Sequence, residues 1–77
     1  MTLGRQVCAV IYHLRTERGL TASELARLSG ITKNKISLWE TSTGRANVPS
    51  LNALESVARV LGKSVTEIVY LAEKGRS

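Results

Sequence analysis

The stretch from Thr21 to Glu40 constrains the chain most, because its breaks permit only two short helices joined by a tight turn. Thr21 followed three residues later by Glu24 is a capping box: the hydroxyl accepts the N–H of the third helical residue, and the carboxylate reaches back to the N–H of the cap. Leu25, Ala26 and Leu28 then offer a small apolar face. Gly30 follows, where a left-handed residue ends a helix without a Cβ penalty. Ile31 returns to the core, and Thr32 is placed to cap a second helix. In that helix Ile36 and Trp39 are three apart and share a face. Lys33, Asn34, Ser37 and Leu38 lie on the others.

Lys33 and Lys35 fall in the first turn of the second helix, where the positive end of the dipole disfavours a cation by roughly 0.3–1 kcal/mol each. The preceding helix places Glu24 in that turn instead. Lysines in this position make physical sense if an anion docks against the helix start. The alternative is a pair of solvated lysines of no consequence. The net charge of +5 and pI near 10.0 also favour a polyanion, nucleic acid before membrane, although charge alone is a weak argument.

A length of 77 residues indicates one domain, 1–77, whose core is marginal and would gain from a partner subunit. Phe is absent, so Leu, Val, Ile and Ala must fill the interior. The single Cys8 excludes an internal disulfide, suits a reducing compartment, and reads as a small buried hydrophobe rather than a reactive thiol. No run approaches the ~18 apolar residues of a membrane span, and no signal peptide is recognisable. A cytoplasmic protein is expected. His13 is the one histidine, and no nucleophile–base pair or metal-ligand spacing accompanies it. Neither catalysis, nor a cofactor, nor a metal is expected.

The remaining elements follow in order. Leu3, Val7, Val10, Ile11 and Leu14 mark one apolar stripe on a first helix from about Leu3 to Arg18, ended by Gly19. Residues 41 to 49 carry the hydroxyl, Gly and Pro content of a loop, in which Arg45 and Asn47 either reach phosphates or are simply solvated. Ser50 caps a fourth helix with Leu51, Leu54, Ala58 and Leu61 at helical spacing, stopped by Gly62. Ser64 and Glu67 form a second capping box, and Val65, Ile68, Val69 and Leu71 make the last helix apolar. The tail from about Glu73 is expected to fray. Val57, Val60, Val69 and Tyr70 widen the apolar faces beyond what so small a bundle easily covers. We therefore expect a two-fold symmetric homodimer through a region of about 50–73, with Val65, Ile68 and Val69 at its interface. Additional core is the rival explanation.

The stretch resembles the phage repressor and Cro-like (XRE-type) helix-turn-helix proteins. The residues that carry the resemblance are Leu20-Thr21, Leu25-Ala26, Gly30-Ile31-Thr32, Ile36-Ser37 and Trp39-Glu40, flanked by Leu14 to Gly19 upstream and by Pro49-Ser50-Leu51 and Leu61-Gly62 downstream. The resemblance implies an all-α, compact five-helix bundle with a central helix-turn-helix at about 21–42, a lambda-repressor-like DNA-binding domain. It also implies a repressor-type transcriptional regulator that binds inverted-repeat operator DNA as a dimer. The helix at 33–42 would enter the major groove by its start while the helix at 22–29 crosses the backbone.

Lys33, Asn34, Ser37 and Leu38 would then face bases. Lys33 suits guanine or a phosphate equally, and Asn34 suits adenine. Ser37 is too short to specify strongly, and Leu38 meets a thymine methyl or is plain apolar surface. Thr21, Ala22, Ser23, Lys35, Arg45 and Asn47 would face phosphates, with backbone N–H groups at Ala22 and Ser23 serving one at a helix start. Arg15 and Glu40 would form a structural ion pair by the same resemblance. One departure is Ala22, where the family often has a DNA-contacting Gln; specificity then rests more on the second helix and the loop. The settings implied are phage lysis–lysogeny control, restriction–modification controllers and antitoxins, with a nucleoid-associated location. A protein-interaction module on the same fold, such as an antitoxin holding a toxin or a coactivator-like bridge, is the competing reading.

Overall fold

The computed structural model describes residues 2–42 and 47–76 of the chain. It is all-α: α1 Leu3–Glu17, α2 Ala22–Ser29, α3 Lys33–Thr41, α4 Leu51–Val60 and α5 Val65–Arg76, with no strand among the described residues. α1 packs along α5, α2 against both α3 and α4, and α1 also crosses α3. The helix-turn-helix pair α2–α3 therefore rests on a platform made by the other three.

The helix boundaries follow from local chemistry. Thr2, Thr21, Thr32 and Ser50 cap α1 to α4, each accepting the N–H of the third helical residue. Both acidic capping boxes form: Thr21 N–H donates to Glu24 Oε1 at 2.8 Å, and Ser64 N–H to Glu67 Oε1 at 2.9 Å. Gly30 ends α2 at φ 77°, a conformation that a Cβ would strain. Gly4 has a different role. A Cβ there would press to 2.9 Å from Cγ1 of Val48, so the glycine lets the segment before α4 lie against α1.

Every helix sends at least one branched aliphatic side chain into a common core. Ile11, Leu25, Ile36, Val57 and Ile68 are completely buried, and Leu61, Leu54, Ala58, Ala72, Val7, Cys8 and Trp39 close around them. Removing a Leu- or Ile-sized side chain from water contributes about 1.5–3 kcal/mol. Leu3, Val10 and Leu14 of the α1 stripe are partly buried against this cluster.

Four expectations require correction. Leu28 is 50% exposed, because the buried arc of α2 runs through Ala22, Leu25, Ala26 and Ser29 and Leu28 falls past its edge. Leu51 is 73% exposed; as the first residue of α4 its side chain tilts back beyond the end of the bundle. The tail does not fray at Glu73. Ala72 is fully buried and α5 continues to Arg76, its Gly75 lying against the side-chain amide of Gln6 of α1. Finally, Ile68 has no exposed surface in a single chain, which withdraws it from the expected dimer face, and Val57 is likewise core.

Candidate nucleic-acid interface

The α2–α3 pair presents two helix starts on the surface. At the first, Thr21 Oγ1 accepts the Glu24 N–H at 3.1 Å while the Glu24 carboxylate accepts the Thr21 N–H. The Thr21 N–H first, and its hydroxyl second, favour the charged carboxylate and hold the Glu24 carboxyl below its ordinary 4.5; Ser64 does the same for Glu67. The next two N–H groups, of Ala22 and Ser23, have no acceptor within the helix and point outward from its start. Ser23 is exposed and Ala22 half-buried.

The start of α3 is built differently. Thr32 Oγ1 accepts the Lys35 N–H at 3.2 Å, but no acidic residue occupies the first turn. Lys33, Asn34 and Lys35 are all exposed, so two positive charges and an amide surround a dipole end that is itself positive. Ser37 is half-buried one turn on, and its backbone oxygen accepts the Thr41 hydroxyl at 2.8 Å. Leu38 is 39% exposed beside it. The side chains expected to meet bases thus share the outer face and start of one helix, and Arg27 of α2 adds an exposed cation.

The opposite end of α3 is held firmly. Arg15 of α1 donates from Nε to Glu40 Oε2 at 2.8 Å and from Nη2 to Oε1 at 3.0 Å, a two-pronged pair with each side chain only 11% exposed. Its remaining nitrogen, Nη1, donates to the Leu20 carbonyl at 2.6 Å, and the guanidinium lies 5.2 Å from the Tyr12 ring centre. One arginine therefore ties together α1, the start of the helix-turn-helix, and the end of α3.

Arg5 makes contacts that the sequence did not disclose. Its Nη1 donates to the Trp39 carbonyl at 3.4 Å and to the Ser42 carbonyl; its Nη2 donates to the Asn47 carbonyl at 2.6 Å and to Cys8 Sγ at 3.3 Å. None of the three carbonyls lies within thirty residues of Arg5 in the chain, so no local pattern announces them. Burial raises the Cys8 thiol above its ordinary value, with Arg5 opposing that shift.

Asn47 also has a structural task. It adopts φ 61°, which Asn tolerates better than most residues, and its Nδ2 donates to Ser42 Oγ at 3.3 Å. Arg45, the other loop residue expected to reach phosphate, lies outside the described residues. Arg18 donates from Nε to the Leu61 carbonyl at 3.2 Å and so closes the end of α4. Arg5 and Arg15 thus turn their guanidinium groups to partners inside the molecule, whereas Arg18 stays exposed. Among the described residues, the exposed basic side chains of α2 and α3 themselves are Arg27, Lys33 and Lys35. His13 stands exposed on α1, 3.4 Å from Glu17. No cluster of metal-ligating side chains occurs among the described residues, and no described helix is long and apolar enough to cross a membrane.

Away from this face, α5 carries a shallow open groove lined by Val65, Thr66, Val69, Tyr70, Glu73 and Lys74. Tyr70 is 64% exposed there, while Val65 and Val69 are half-buried.

The family model described as the helix-turn-helix domain matches residues 9–71. The structure is similar to the crystal structure of the clp gene regulator ClgR from Corynebacterium glutamicum, with a TM-score of 0.83 and 27% identity over 97% of this chain and 77% of that one. Among curated proteins none matches.

Proposed function

The chain belongs to the helix-turn-helix domain family, and from that premise we propose that it is a sequence-specific, DNA-binding transcriptional regulator rather than an enzyme. The observation that carries the reading is the start of α3, where Lys33, Asn34 and Lys35 are exposed on a helix end that offers no acidic residue of its own. Such a start favours an anion, and a helix of this size fits the major groove. Lys33, Asn34, Ser37 and Leu38 read bases. Phosphates are met by Lys35, by the Thr21 hydroxyl, by the N–H groups of Ala22 and Ser23, and by the segment containing Arg45 and Asn47. Residues 1–77 act as one DNA-binding domain of a cytoplasmic, nucleoid-associated protein.

The finer part of the proposal is a homodimer that reads an inverted repeat as a repressor. What supports it is the outer face of α5, where Val65, Val69 and Tyr70 leave apolar surface uncovered by the chain's own core. Two copies related by a two-fold axis would set their α3 helices about 34 Å apart, one turn of DNA.

Selection from a random duplex pool at about 150 mM salt tests both parts, since specific binding must survive salt that suppresses bulk electrostatics. A symmetric motif with half-sites about ten base pairs apart is expected. Retention of DNA without a motif would sink sequence-specific recognition, and a single unrepeated half-site would sink the dimer.

A further inference from the structure

We propose that Arg5 is a positioning residue for DNA recognition: it fixes the C-terminal end of α3, and so the angle at which Lys33 and Asn34 are presented, without itself touching DNA. The inference rests on the DNA-binding reading above. It is carried first by how the guanidinium uses its donors. Both terminal nitrogens are committed, Nη1 to the Trp39 and Ser42 carbonyls and Nη2 to the Asn47 carbonyl and Cys8 Sγ. Trp39 and Ser42 are the end of α3 and its cap, and Asn47 stands before α4. Arg5 therefore holds the chain where it leaves the recognition helix and again where it returns.

The unpaired group is equally informative. Arg5 Nε–H is buried without a hydrogen-bond partner among the described residues. Leaving a buried donor unmade is unfavourable, so the side chain is placed by what its distal nitrogens reach, not by the best solvation of the whole group. In addition, α3 has no basic residue in its own last turn. The cation that favours the negative end of a helix dipole comes instead from α1.

The geometry explains why such a clamp matters for recognition. α3 has nine residues, hence a length of about 13 Å. A tilt of about ten degrees pivoting at its far end moves its start by about 2 Å, more than hydrogen bonds to base edges tolerate. The Arg15–Glu40 pair supplies one anchor through a side chain. Arg5 supplies a second through the backbone, and two anchors remove a pivot that one leaves free.

The test compares wild-type protein with Arg5→Lys, which keeps the charge but has a single ammonium that cannot stand at both Nη positions at once. Affinity is measured for the selected duplex and for random duplex across a salt series, at a temperature where circular dichroism shows both proteins folded. The expected result is a loss of about tenfold or more on the selected duplex, the value of one well-placed base contact, with random-duplex affinity and the salt slope unchanged. Selected-duplex affinity within about twofold of wild type would overturn the proposal. So would a slope shallower by about 0.9, since that marks a lost phosphate contact.

If Arg5→Lys does not fold, the side-chain N–H resonances of Arg5 in wild-type protein decide the matter. Slow exchange with solvent before any DNA is added is expected; protection that appears only with DNA would refute internal clamping. Failure of the DNA-binding reading itself is distinguishable, because wild-type protein would then select no motif.

Discussion

α2 and α3 begin with the same backbone device and opposite charge. Each opens on a threonine whose hydroxyl accepts the N–H three residues later, at 3.1 Å from Glu24 and 3.2 Å from Lys35. In α2 that third residue is a glutamate that returns the favour to the cap; in α3 it is a lysine that cannot. The first arrangement satisfies two orphan donors and the helix dipole together, whereas the second satisfies one donor and opposes the dipole. Two helices of nearly equal length, packed on each other, thus differ at the end proposed to meet DNA. The far end of α3 is where the structure supplies compensation, through Trp39 in the core and through Arg5 and Arg15 on its carbonyls and carboxylate.

The largest effect should come from reversing the charge of the α3 start. Lys33→Glu with Lys35→Glu is expected to weaken binding to the selected duplex by about 2–6 kcal/mol in total, measured by fluorescence anisotropy. Retained affinity would make the two starts functionally equivalent and remove the contrast.

Next is the compensation at the far end. Glu40→Ala strands a nearly buried guanidinium and is expected to destabilise the fold by about 3 kcal/mol in urea unfolding, near the low end for such a pair because Arg15 keeps Leu20 and Tyr12. A loss below about 1 kcal/mol would class the pair with ordinary surface ion pairs.

Removing the shared device should be smaller: Thr21→Ala and Thr32→Ala are each expected to cost about 1 kcal/mol, since each deletes one cap hydroxyl while the backbone N–H of residue 21 keeps its bond to Glu24. A clear loss at only one of them would mean that the two hydroxyls are not equivalent caps.

Lys35→Glu alone should stabilise the fold by about 0.3–1 kcal/mol, by giving α3 the box that α2 already has. The same protein should bind DNA less well, so stability and affinity move in opposite directions.

The subtlest contrast is with pH. Glu24 is held below 4.5 in the folded chain by the Thr21 N–H and hydroxyl, so the folded state takes up its proton less readily than the unfolded state. That contribution is whole above about pH 4.5 and is lost as pH falls through the lower folded value. Hydrogen exchange should show α2 loosening in this acid window while the α3 start, which has no carboxylate box, does not change for that reason. Simultaneous loosening of both starts would argue against a local origin.

The sequence by itself determined the five helices, because their starts and stops are written in hydrogen bonds between residues three or four apart. Thr21 with Glu24, Ser64 with Glu67, and the left-handed Gly30 need nothing beyond their own turn. The lysines of the α3 start were legible for the same reason, since a helix dipole acts within one turn. Arg15 and Glu40 could be connected only through a family resemblance; composition alone would have left them as two surface charges.

What only the tertiary structure decided is which way each apolar or basic side chain is spent. Leu28 and Ile68 have equal claims to a core in a helical pattern, yet one is half exposed and the other wholly buried, because the neighbours across the bundle choose the arc that is covered. Arg5 reads as one basic residue among eleven until α1 is laid across the end of α3. The carbonyls it reaches are separated from it by 34, 37 and 42 residues, and contacts of that range arise from the packing of helices rather than from any spacing along the chain.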